Sequence, residues 1–92
     1  MTLSDIKQQQ GGRITCRDGY KFSIAADAFA ACTPVSNLGP WTAFEVVAHG
    51  MYAVDTRFQA FRRWCRYEGT RYGFIPEAII WEVIHAHGGL AE

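Results

Sequence analysis

No apolar run in this chain approaches the roughly 18–20 residues needed to span a bilayer. Stretches such as Ala78–Trp81 are far shorter, so no membrane span is expected. Met1 to Gln10 has no basic region leading into an apolar core, which argues against a secretory signal and makes the cytoplasm the expected compartment. Cysteine is scarce: Cys16, Cys32 and Cys65 are odd in number and far apart. They exclude a paired disulfide framework and are expected as reduced, packed thiols. No C-x-x-C pair occurs, and His85 and His87, two apart on a helix, point about 200° from one another, so neither they nor His49 suggest a zinc site. The glycine pairs Gly11-Gly12 and Gly88-Gly89 lack Walker spacing and a following Lys-Ser/Thr, so no phosphate-cradling loop is indicated.

A cysteine nucleophile would need a histidine base and an orienting group, and no local signature supplies them. Cys65, set among arginines, is the thiol most open to a lowered pKa, yet it falls on an apolar stripe. Asp18, Asp27, Glu45 and Asp55 have no spacing that pairs them for acid/base work. These absences point to a binding protein with no cofactor and no metal, rather than an enzyme.

What is present is enough for one folded domain. A chain of 92 residues has room for one modest core. Its 49% hydrophobic and 20% charged content is that of a globular fold, not a disordered one. The net charge of zero conceals an asymmetry. From Arg57 to Arg71 there are five arginines and one glutamate, so this segment is +4 and the remainder −4. Such a layout steers anionic partners toward one region of a neutral molecule.

Thr2 and Asp5 form an imperfect capping box for a short helix from about Leu3 to Gln10, closed at Gly11-Gly12 and with little to bury. Ile14 and Cys16, then Phe22 and Ile24, alternate at period two about Asp18-Gly19, which predicts a β-hairpin with a type I′ turn. Asp27 to Cys32 reads as a short helix or a loop. Ser36, Asn37, Gly39 and Pro40 make a loop, and Trp41 to Ala48 a strand ended by His49-Gly50. A helix is expected from Asp55 or Thr56 to Tyr67, with Phe58, Phe61 and Cys65 inward and Gln59, Arg62, Arg63 and Arg66 on a cationic outer face. Tyr72 to Ile75 forms a strand. Pro76 opens a final helix to about His87, with Ile79, Ile80, Val83 and Ile84 buried and Trp81 projecting between Glu77 and His85.

The basic helix admits three uses. Its guanidinium groups could meet phosphates, with Trp64, Tyr67 or Tyr72 stacking on unpaired bases. They could meet an acidic protein surface. They could also be a solvated face and nothing more.

The segments Gly11–Pro34, Gly39–Gly50 and Tyr72–Leu90 together resemble a group of small proteins encoded in tailed bacteriophages and prophages. The resemblance is carried by Asp18-Gly19, the Cys32-Thr33-Pro34 turn, Gly39-Pro40 before the Glu45-Val46 strand, Tyr72-Gly73, Pro76, and His87-Gly88-Gly89. Most of these are turn or cap residues and speak for fold. The arginine-rich segment departs from the group, which is more acidic there. Small phage proteins often act by stoichiometric binding to a host machine, anti-CRISPR proteins among them, and that mode of action is what the resemblance implies.

The reading is a single α+β domain over residues 1–92: a three- or four-stranded, mainly antiparallel sheet packed by two C-terminal helices, with a short N-terminal helix. The expected function is anti-CRISPR-like inhibition by binding an acidic host protein or ribonucleoprotein surface. The alternative is direct nucleic-acid binding through the basic helix 55–67. The candidate partner-binding residues are Arg57, Arg62, Arg63, Trp64, Arg66, Tyr67 and Arg71.

Overall fold

Local signals at the N-terminus give the first helix. In the computed structural model, Thr2 Oγ1 accepts from the Asp5 N–H at 3.1 Å and Asp5 Oδ2 accepts from the Thr2 N–H at 3.0 Å, a complete capping box. It opens α1 (Leu3–Gln10), which Gly11 closes at φ 68. The structure describes residues 2–48, 55–66 and 69–91, with the side chains of 62–66 and 69–70 outside that description. His49, Gly50 and Tyr67 therefore lie outside the described residues.

Five strands follow: β1 (Arg13–Thr15), β2 (Lys21–Ala25), β3 (Ala43–Ala48), β4 (Arg62–Arg66) and β5 (Gly69–Pro76). They form one antiparallel sheet in the order β1-β2-β3-β5-β4. Helix α2 (Thr56–Gln59) is a single turn before β4, and α3 (Glu77–Ala86) follows β5. The α+β class, with helices at both ends and an antiparallel sheet, is the one expected.

One hydrophobic cluster joins Leu3 and Ile6 of α1, Phe58 of α2 and Ile80, Val83 and Ile84 of α3 to Ile14, Phe22, Ile24, Val46, Tyr72 and Ile75 of the sheet. The helices thus cover one face. α1 buries more than its three glutamines imply, because Leu3 and Ile6 are sealed in the core and Ser4 Oγ accepts the Trp41 N–H at 3.0 Å. Cys16 and Cys32 are free and buried, as expected of packed thiols. Burial, followed by the nearby Asp18 carboxylate, pushes the Cys16 thiol up to about 11.

Two expectations are corrected. The hairpin forms about Asp18-Gly19, but Gly19 alone takes a positive φ, at 93. The Gly19 N–H bonds Cys16 O at 3.0 Å and the Cys16 N–H bonds Tyr20 O at 2.8 Å. This is a three-residue loop ending in a glycine bulge, not a type I′ turn.

The larger correction concerns the helix expected from Asp55 to Tyr67. Asp55 does cap α2, accepting from the Arg57 N–H at 2.9 Å, but the coil ends at Ala60 with an i→i−3 bond from Phe61 to Phe58. The next residues pair along β5: Arg62↔Gly73, Arg63↔Tyr72, Trp64↔Arg71, Cys65↔Thr70 and Arg66↔Gly69. This segment fits both periods, since Phe58, Phe61 and Cys65 match a helix while Arg62, Trp64 and Arg66 alternate as in a strand. A five-pair antiparallel ladder with β5, the next element of the chain, decides for the strand.

The 27–32 segment is loop. It folds over one end of the sheet's second face, where Thr33 bridges Ala43 and the Phe74 N–H bonds Ala31 O at 2.8 Å. β3 pairs Phe44 with Ile75 and Val46 with Tyr72, leaving Gly73 and Phe74 opposite Glu45 as a bulge. Phe74 there has φ 58.

Candidate functional site

Strand charge is distributed unevenly. The five strands hold six of the nine Lys and Arg residues (Arg13, Lys21, Arg62, Arg63, Arg66, Arg71) but only one of the nine Asp and Glu residues, Glu45. Helices and connections hold the reverse. One cross-strand row, Arg13, Ser23, Val47, Arg71 and Trp64, runs through every strand. Arg13 and Lys21 are exposed on the helix-free face, Ser23, Val47 and Arg71 half-buried.

The single strand carboxylate is not free to offset these cations. Glu45 is only 4% exposed. Its Oε2 lies 2.7 Å from Arg71 Nη1, and its Oε1 accepts the Ala31 N–H at 3.4 Å. Burying a carboxylate is tolerable only with such partners. Arg71 is therefore a counter-ion first, with one side of its guanidinium turned to solvent.

Arg57 is also committed. Its Nη1 lies 3.1 Å from Asp55 Oδ1, and its Nε is 3.6 Å from Glu82 Oε1 on α3. Of the seven candidate residues, Arg57 and Arg71 have described side chains, and both pair with carboxylates. Arg62, Arg63, Trp64 and Arg66 sit together on β4, which brings them to one strand rather than one helical face. Tyr67 lies outside the described residues.

A second cluster was not anticipated. His87, just past α3, places Nδ1 at 2.6 Å from Asp18 Oδ2 and Nε2 at 3.1 Å from Asp55 Oδ2. When the ring is protonated, both nitrogens donate, one to each carboxylate. The ring stacks on Tyr20 at a centroid distance of 4.2 Å, and the Tyr20 hydroxyl accepts the Asp55 N–H at 3.1 Å. Burial alone would lower the His87 pKa, but the bonds to Asp18 and Asp55 outweigh it and raise the value. Asp18 is held low by the Tyr20 N–H and then by His87. Asp55, which burial would raise, is held low by the Arg57 N–H, His87 and the Arg57 side chain. No local sequence signal marks this cluster, because the partners of His87 lie 69 and 32 residues away in the chain.

The sheet's β1 side carries a groove of about 760 Å³ between α1, β1 and α3, with Arg13, Arg17, Trp81 and His85 at its walls. Trp81 is half-buried there, its Nε1 3.4 Å from Glu77 Oε1 and its ring beside His85, as its place on the helix predicts. Elsewhere Phe29 (97% exposed), Leu38 and Val35 project from the 26–42 loop. Among the described residues no group of three or more His, Cys, Asp or Glu is placed to hold a metal, and no helix is long and apolar enough to cross a membrane. No protein family, curated protein or solved structure matches this chain.

Proposed function

We propose that this chain acts by occupancy rather than turnover, as a small phage-type accessory protein whose basic sheet docks on an acidic surface of a host protein or ribonucleoprotein. The inhibitory, anti-CRISPR-like role and the host cytoplasm as its setting come from the resemblance. The observation that supports docking is the placement of charge: six cations on the strands against one buried, already paired carboxylate. A field of one sign on a rigid scaffold raises association rates with anionic partners and disfavours cationic ones.

Arg62, Arg63 and Arg66 on β4 are the central contacts of this reading, with Trp64 and Tyr67 as ring anchors. Arg57 and Arg71 are secondary because each already serves a carboxylate. The test is affinity capture from host lysate with the natural chain and with Arg62→Ala/Arg63→Ala. One stoichiometric partner lost in the double variant is the expected result; unchanged capture would move the contact off β4.

A second reading is nucleic-acid binding by the same face. It is favoured by Phe74, an aromatic 42% exposed one residue beyond Gly73, the pairing partner of Arg62. The two arginines at alternate β4 positions, Arg62 and Arg66, on duplex phosphates would give log K against log salt a slope of about −1.8. No binding to DNA or RNA at low salt removes this reading.

A further inference from the structure

The two edges of the sheet are finished differently. At β1 the chain's own tail closes the edge: the Arg17 N–H bonds Gly89 O at 2.9 Å, the Ala91 N–H bonds Thr15 O at 2.9 Å, and Cys16 bridges Leu90. At the far end of the order β1-β2-β3-β5-β4, the last strand pairs only with β5 among the described residues. In an antiparallel ladder every second residue bonds its neighbour, so the alternate N–H and C=O groups of β4 turn outward. Five residues present about 17 Å of such backbone, a template for another strand.

The geometry points to this outer edge of β4 as the docking place of an extended acidic segment of a partner protein, which adds to the sheet as a sixth strand. The inference rests on the reading above that the sheet meets an anionic partner, and it specifies how. Main-chain bonds supply affinity in such additions, and alternate side chains supply specificity.

Charge selects the occupant. A second copy paired antiparallel about Trp64 would set Arg62 directly opposite Arg66 of its twin, twice over, and like charges directly opposite destabilise a pair. A basic strand meets the same repulsion. A strand bearing Glu or Asp at those positions meets guanidinium groups instead. The competing explanation is that the arginines merely keep an open edge from aggregating, and it predicts no gain for acidic strands.

The probe is a fluorescein-labelled peptide, acetyl-Glu-Val-Glu-Val-Glu-Val-Glu-amide, followed by anisotropy and by site-resolved amide hydrogen exchange of the full chain. Controls are the same peptide with Lys for Glu and the same peptide with every backbone amide N-methylated. Expected are at least tenfold weaker binding of both controls and slowed exchange at alternate residues of 62–66, with none gained at β1. The variant Arg62→Glu/Arg66→Glu should reverse the preference toward the lysine peptide, a gain that loss of folding cannot mimic. Equal binding of the N-methylated peptide, or protection at the β1 side, overturns strand addition while leaving the basic-sheet reading intact. Failure of the acidic peptide together with failure of polyglutamate to bind overturns both.

Discussion

His87 Nδ1 and Asp18 Oδ2 meet at 2.6 Å although 69 residues separate them in the chain. With Asp55 at the other nitrogen, the imidazolium ties the β1–β2 turn and the α2 cap to the end of α3.

Stability should therefore depend on pH in two windows. The His87 pKa is raised from its ordinary 6.5, so its contribution is complete below that value and is lost as pH rises through the folded value. Asp18 and Asp55 are lowered from 3.8, so theirs is present above 3.8 and is lost as pH falls through the folded values. Urea midpoints should fall between pH 6 and 9 in the natural chain, and His87→Gln should flatten that slope.

Arg71→Ala should destabilise the fold by about 3 kcal/mol, because it strands the Glu45 carboxylate in a buried position with only the long Ala31 bond. Adding Glu45→Gln should restore part of the loss. Equilibrium urea curves of the two singles and the double give the coupling energy, and additivity would mean the pair is inert.

Phe74 holds a left-handed backbone that costs an L-residue with a large side chain of order 1 kcal/mol. The residue is 42% exposed, so the relief of strain is set against a partial loss of packing. Phe74→Gly should leave stability unchanged or raise it by about 0.5–1 kcal/mol. A clear loss in thermal unfolding would show that the ring contributes to the core.

Gly12 faces the opposite situation. A Cβ there would collide with Ile24 O, at φ 85, where the Gly12 carbonyl also accepts the Ile24 N–H at 2.8 Å. Gly12→Ala should cost more than about 2 kcal/mol, against about 1 for Gly11→Ala, whose Cβ meets open space. Similar midpoints for the two variants would contradict the clash.

The elements legible in the sequence are those whose signals are local. Thr2 with Asp5 and Gly11 bound α1, Asp18-Gly19 marks the hairpin, and Pro76 with the Ile80/Val83/Ile84 stripe defines α3. β4 was not legible, because Arg62 to Arg66 satisfies two periods and its partner strand makes the choice. The candidate arginines were found by composition, but their grouping on a sheet rather than a helix follows from that pairing. Arg13 and Lys21 carried a readable signal, each alternating with a core residue, Ile14 or Phe22. The His87 clamp carried none, since Asp18, Asp55 and His87 become neighbours only when three distant segments assemble.

That assembly has a kinetic corollary. A contact spanning 69 residues on one side and 32 on the other closes only after the hairpin and both flanking coils are in place. Weakening it should accelerate unfolding while leaving the refolding rate nearly untouched. The imidazolium would then govern how long the native chain persists, more than how quickly it forms.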